Sequence, residues 1–170
     1  MLQALGTVNG YTVEEIPPLI IGAERVSSTL VRERVLQGDL AAVESLLGRH
    51  YSLTGVVVKG RGIGVTLGFP TANVRPYHSA IPAQGVYVAE ALVDGARRPA
   101  AVNIGIAPTI RQEDLTVEAH LIDFQGDLVG KDIEIFFLQR LRSEKKFRSR
   151  EELQEQIARD IESTRAYFRK

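Results

Sequence analysis

A chain of 170 residues with 44% hydrophobic content is long enough to bury a core of its own. Its 21 basic and 21 acidic residues cancel and only 6% of its residues are aromatic, which argues against a surface built to grip nucleic acid. Cysteine is absent, so disulfides and thiolate metal centres are excluded, and no apolar run is long enough to read as a membrane span.

Residues 1 to 25 read as a short segment in which Tyr11–Val13 and Leu19–Ile21 are candidate strands separated by Pro17 and Pro18. They are too few to close a sheet of their own. A helical hairpin follows over about 27–47: Ser27 or Ser28 caps a first helix that stops near Gly38, and Asp39 caps a second that ends at Gly48. From Tyr51 the texture becomes strand-like. Leu53–Val58 leads into a glycine-rich loop, Pro76–Pro82 is turn-rich, and Gly85–Val93 alternates up to Asp94-Gly95, a strong hairpin signal. Arg97–Ile104 returns as a strand in which Pro99 belongs at an edge or bulge. Thr116–Phe124, a turn at 125–127, and Lys131–Leu138 form a further strand pair. Short strands at hairpin spacing predict a mainly β fold, a closed or nearly closed antiparallel barrel. A C-terminal helix over about 149–168 is announced by the capping box Ser149-x-x-Glu152 and by Leu153, Ile157 and Ile161 on one stripe. It is expected to pack across the barrel, and its charged face is given no function.

Chemistry concentrates in Gly60–Asn73, where glycines at 60, 62, 64 and 68 are followed by Phe69-Pro70-Thr71-Ala72-Asn73. Glycine loops let backbone N–H groups approach an anion, and the Thr71 hydroxyl and Asn73 carboxamide are hard oxygen donors of the kind Mg²⁺ accepts. The stretch is not a Walker A loop, because Gly55 to Gly60 continues with Arg61-Gly62 rather than Lys-Ser/Thr. Nor is it a dinucleotide fingerprint, since Leu67 stands at the third glycine position and Pro70 opposes a helix opening there. Generic chemistry leaves two readings open, a phosphate site and a flexible hairpin loop. Downstream, period two in Thr116–Phe124 puts Glu118 and His120 on one face and Val117, Ala119 and Leu121 on the other. Taken alone, a face of that kind reads as a solvated exterior.

The complete run Gly68-Phe69-Pro70-Thr71-Ala72-Asn73 resembles the signature of riboflavin kinases, including the kinase half of bacterial bifunctional FAD synthetases. Three other places carry the resemblance: Thr116-x-Glu118-x-His120-x-x-Asp123, Asn103-Ile104-Gly105-x-x-Pro108-Thr109, and Phe137-Leu138-x-x-Leu141-Arg142-x-Glu144-x-x-Phe147. The family implies a small Greek-key barrel with a C-terminal helix, and transfer of the ATP γ-phosphate to the riboflavin 5′-hydroxyl to give FMN and ADP. By position it implies Glu118 as catalytic base, with His120 a structural hydrogen-bonder. Thr71 and Asn73 become ligands of a Mg²⁺ ion bridging the phosphates, and Gly62, Gly64 and Gly68 wrap those phosphates. Arg142, Glu144 and Phe147 lie beside the flavin, and the segment at 103–109 closes over the site. Glu118 then has to converge on Thr71 and Asn73 across the barrel. Lys59 and Arg61 read as solvated strand-end residues.

Val26-Ser27-Ser28-Thr29-x-Val31-Arg32 similarly resembles the end of the FMN adenylyltransferase domain of those bifunctional enzymes. That domain handles ATP with a His-x-Gly-His-type motif, whereas His50, His78 and His120 are isolated here. The resemblance therefore implies an adenylyltransferase remnant at 1–48 without its activity, and a kinase barrel at 49–170. Ile63, Val65, Ile110 and Val129 depart from common family residues, which bears on affinity more than on reaction type. The implied partners are riboflavin or FMN and ATP or ADP, in the cytoplasm, with no nucleic acid and no membrane. A flavin- or nucleotide-binding module without turnover is the alternative.

Overall fold

The computed structural model describes residues 1–108 and 113–169. Its centre is a closed barrel of six antiparallel strands in the spatial order β3-β4-β7-β6-β5-β8, with β8 also pairing β3. These strands are β3 (Tyr51–Val58), β4 (Ala72–Pro76), β5 (Gly85–Val93), β6 (Ala96–Pro108), β7 (Glu113–Leu121) and β8 (Asp132–Arg142). β5, β6 and β7 follow one another, and β8 returns to lie beside β5, which is the Greek-key arrangement. Closure removes the exposed edges that an open sheet would leave.

Period-two alternation fills the interior. Leu53, Val57, Val74, Tyr87, Ala89, Ala91, Val102, Ile104, Val117, Ala119, Ile133, Ile135 and Phe137 make one buried cluster. This cluster fills the lumen with side chains. The β5–β6 turn is formed by Asp94 and Gly95, both at positive φ, 51° and 76°, as two-residue hairpins of this kind require. Pro99 pairs with Glu90 and sits one residue beyond the β6–β7 register, which ends at Ala100 opposite Leu121. Its carbonyl accepts from the Ile122 N–H, so its own missing donor falls where the ladder has run out.

Ahead of the barrel stand α1 (Leu2–Asn9), the two-residue pair β1 (Ile20–Ile21) and β2 (Glu24–Arg25), and the hairpin α2 (Ser28–Gln37) and α3 (Leu40–Leu47). Ser27 Oγ accepts from the Leu30 N–H at 3.2 Å, Asp39 Oδ1 accepts from the Ala42 N–H at 3.1 Å, and Gly38 and Gly48 close the helices in left-handed geometry. α3 rests against β3 and β8. A single helical turn, α4 (Ile63–Thr66), lies in the glycine loop, and α5 (Arg150–Phe168) crosses β5 and β6.

Four expectations need correction. Tyr11–Val13 is not a strand, because no strand among the described residues pairs with it; instead Leu2–Asn9 is helical and ends at Gly10 with φ 73°. Ala72–Pro76 is a barrel strand, paired on both sides, where only a loop and turns were expected. β6 and β8 run several residues past Ile104 and Leu138, because barrel neighbours continue to pair them. β7 stops at Leu121 rather than Phe124, and Asp123 turns the chain away with φ 53°. The expectations at Thr109 and Ile110 lie outside the described residues.

Candidate active site

Strand pairing draws one row across the sheet: Val58 is opposite Asn73, Asn73 opposite Glu118, Glu118 opposite Asn103, Asn103 opposite Val86, and Val86 opposite Arg142. Directly opposed residues share a face, with Cβ atoms about 4.5–5.5 Å apart. The neighbouring rows, Val74–Val117–Ile104 and Ala72–Ala119–Val102, are the ones turned into the core. Asn73, Glu118 and Asn103 therefore project outward. Convergence of Glu118 with Asn73 is achieved by direct pairing of β4 with β7 on the outer wall, not across the barrel as expected.

This outer face is not solvated like an ordinary exterior. It is the floor of a cleft of about 680 Å³, whose lining also includes the glycine loop, the β8–α5 connection and the apolar stripe of α5. Gly62, Gly64, Thr71, Asn73, Glu118, Arg142, Glu144 and Phe147 all line it, as do Lys59 and Arg61. Gly68 does not.

The glycines divide into two jobs. A Cβ on Gly60 would stand 2.1 Å from Asn73 Nδ2, and one on Gly64 would stand 2.4 Å from the Phe69 carbonyl oxygen and 3.0 Å from Thr71 Oγ1. These two are glycine because the two polar side chains lie against their backbone. Gly62 and Gly68 meet nothing within 4 Å, but their φ angles of +72° and +85° favour glycine for conformational reasons. His120, two residues along from Glu118 on the same face, is bonded through Nδ1 to the Pro70 carbonyl at 2.8 Å and meets the Phe69 ring edge-on.

On the opposite wall Arg142 is not a free cation. Its Nε lies 3.1 Å from each Asp160 carboxylate oxygen and its Nη2 2.7 Å from Oδ2, while Gln156 Nε2 donates to Oδ1 at 3.0 Å. The pair is well buried, with side-chain exposures of 22% and 9%. It locks the end of β8 to the middle of α5. Arg150 and Gln154 tie the same helix to the glycine loop by donating to the Thr66 and Leu67 carbonyls at 2.6 and 3.2 Å. The polar side of α5, to which sequence reasoning gave no function, thus holds two walls of the cleft together. Glu144 packs on Gly105, where an added Cβ would lie 2.4 Å from Oε1, and Phe147 receives the Arg142 and Lys145 cations at 5.9 and 5.3 Å. Asn103, missed as a site residue in its own right, was signalled by its strand's matching motif but only pairing sets it beside Glu118.

Thr71, Asn73 and Glu118 offer oxygen donors of the hard type that fits a divalent metal. Among the described residues no group of three or more His, Cys, Asp or Glu could cage a metal unaided. Such a donor set suits an ion that arrives with phosphate oxygens supplying its remaining ligands.

Fold and site together define a barrel with a packed lumen and an outer-wall cleft, in which a carboxylate stands beside a carboxamide and a glycine loop. The family model described as Flavokinase, riboflavin kinase, matches residues 47–168, and the chain belongs to the riboflavin kinase family. It is 38% identical over 169 residues to a bifunctional riboflavin kinase/FMN adenylyltransferase of Haemophilus influenzae, covering 99% of this chain and 55% of that one. Its counterpart in Bacillus subtilis is 39% identical over 149 residues, covering 85% and 47%. The chain thus spans about half the length of the curated relatives it matches. A riboflavin kinase structure from Trypanosoma brucei superposes with a TM-score of 0.53 at 27% identity, covering 72% of this chain and 82% of that one. A Streptococcus pneumoniae structure described as a macrolide-efflux protein superposes with a TM-score of 0.83 at 31% identity, covering 96% and 54%. No helix among the described residues here is long and apolar enough to cross a membrane.

Proposed function

We propose that this chain transfers the γ-phosphate of ATP to the 5′-hydroxyl of riboflavin, giving FMN and ADP, with Mg²⁺ as the ion that accompanies the nucleotide. The observation that carries the reading is the pairing of Asn73 with Glu118, which sets the family's Pro-Thr-Ala-Asn motif against its carboxylate in one cleft. Thr71 and Asn73 would hold the metal, which when bound neutralises charge on the phosphate oxygens. Gly62 and Gly64 leave the loop backbone free to approach those phosphates, and Lys59 and Arg61 add positive charge at the same end of the cleft.

Glu118 orients the attacking hydroxyl and accepts its proton. An alcohol is far too weak an acid to be ionised beforehand by a carboxylate, but phosphoryl transfer runs through a loose transition state in which that proton leaves late. The flavin ring lies toward Phe147 and Glu144, with Arg142 held by Asp160 as part of the wall. Residues 1–48, with the α2–α3 hairpin, correspond in this reading to the end of the adenylyltransferase half of the longer relatives. None of the three histidines forms that half's nucleotide motif: His50 sits beside Glu44, His78 against Tyr51, and His120 in the kinase cleft. The protein acts in the cytoplasm.

Incubation with riboflavin, ATP and Mg²⁺, followed by chromatographic resolution of the flavins, tests the assignment. FMN without FAD is expected. FAD would overturn the limits set on residues 1–48, and unchanged riboflavin would overturn the kinase reading.

A further inference from the structure

We infer that His120 is a positioning residue for the metal·nucleotide site: its imidazole holds the Pro70 carbonyl and so restrains the Thr71 hydroxyl that would ligate a nucleotide-bound cation. The inference rests on the kinase reading above and adds a residue to it. A carbonyl oxygen can only accept, so the 2.8 Å contact requires Nδ1 to carry the proton and leaves Nε2 as the nitrogen without that duty. The tautomer is therefore set by the loop that the ring restrains.

Three contacts confine Thr71 through its neighbours. The Phe69 N–H donates to the Gly64 carbonyl at 2.8 Å, the Phe69 ring stands edge-on to the imidazole at 6.1 Å between centroids and 88° between planes, and the Pro70 carbonyl is held by Nδ1. Pro70 itself fixes φ, so with its carbonyl tethered the peptide plane that leads into Thr71 is fixed as well. On the other side, Thr71 Oγ1 lies against the Gly64 backbone, where an added Cβ would stand 3.0 Å from it. His120 reaches this loop from β7, the strand that also presents Glu118, and both line the cleft. One strand thus sets the carboxylate directly and the hydroxyl ligand at one remove. Groups that orient a metal ligand in this way are typically worth about 10–100-fold in metal affinity.

The test compares wild type with His120→Phe and His120→Asn. Phenylalanine keeps a ring against Phe69 and loses the donor. Asparagine loses the ring but carries an amide N–H at the same reach along the side chain as Nδ1. Binding of Mn²⁺·ADP is followed by loss of the free Mn²⁺ resonance, binding of ADP in EDTA by calorimetry, and folding by thermal melting. For His120→Phe, Mn²⁺·ADP binding is expected to weaken about 10-fold with metal-free ADP binding unchanged, and His120→Asn is expected to recover to within about threefold of wild type. Wild-type Mn²⁺·ADP affinity in a folded His120→Phe protein overturns the inference alone. So does equal weakening with and without metal, or failure of the asparagine to restore binding in a protein that melts normally. Absence of Mn²⁺·ADP binding by the wild type would sink the kinase reading and this inference with it.

Discussion

Replacing Asp160 by Asn tests whether the cleft wall is held by charge. The carboxylate meets Arg142 at 2.7 and 3.1 Å and is only 9% exposed, so the change leaves a guanidinium that is 22% exposed beside a neutral partner. Breaking a buried pair from one side costs about 3–5 kcal/mol when the surviving charge is stranded. Here Arg142 is partly exposed and keeps its bond to the Ser143 carbonyl and one amide oxygen, so the cost falls just below that range, about 2–3 kcal/mol. For a chain of this length that lowers Tm by roughly 5–10 °C. Urea unfolding should give a lower midpoint at unchanged slope, and KM for riboflavin should rise while KM for ATP holds. Removing both charges with Arg142→Met and Asp160→Leu should bring stability back to within about 1 kcal/mol of wild type, since apolar replacements of buried pairs are often neutral. A loss below about 1 kcal/mol for Asp160→Asn, or a double variant less stable than the single, would refute the reasoning.

Glu118→Gln should retain nucleotide and flavin binding while turnover falls by at least about 10²-fold, as loss of a positioned base commonly does; steady-state kinetics with near-normal kcat would remove Glu118 from the chemistry. Thr71→Val deletes one oxygen from the metal site, so the Mg²⁺ concentration giving half-maximal rate should rise, and an unchanged titration would count against that ligand. Burial pushes the Tyr51 phenol up to about 12 from 10.0, partly offset by Arg32 and Arg49, and its hydroxyl donates to the Ala80 carbonyl at 2.5 Å. A raised acid pKa in the folded state means the native protein holds a proton that the unfolded chain loses first. Stability from this group is therefore complete below pH 10 and declines from there to about pH 12. The decline seen in urea midpoints should be shallower in Tyr51→Phe; an identical slope in both proteins would place the alkaline sensitivity elsewhere.

Much of the barrel could be read from local signals. Gly85–Val93 alternates and ends in Asp94-Gly95, and β5 with its turn lies where that pattern puts it, because the chemistry of a two-residue hairpin is local. Ser149 likewise caps α5 through the Glu152 N–H at 3.1 Å, with Glu152 reaching back to the Arg148 N–H. Ala72–Pro76 gave no such signal: five residues containing Asn, Arg and Pro are a strand only because β3 and β7 pair with them. Tyr11–Val13 shows the converse, strand-forming residues with no pairing strand among the described residues. At the site, residue types were legible and their geometry was not. Nothing in the sequence sets Asn73 opposite Glu118, since register across β4 and β7 is a tertiary choice. Asp160 was invisible for another reason: one carboxylate in a helix rich in charge has no local mark of burial.

The row from Asn73 to Arg142 takes one residue from each of β4, β7, β6, β5 and β8, and the circle is completed only when Tyr51 finds Phe137 between β3 and β8. These pairings are mostly distant in sequence, which makes assembly slow compared with helical proteins. No smaller set than these five strands presents the carboxylate, the carboxamides and the helix-locked arginine together. Recovered phosphotransfer in a refolding experiment would therefore time the joining of all five strands, and partially folded chains lacking any one of them would be silent in that assay however much β-structure they had gained.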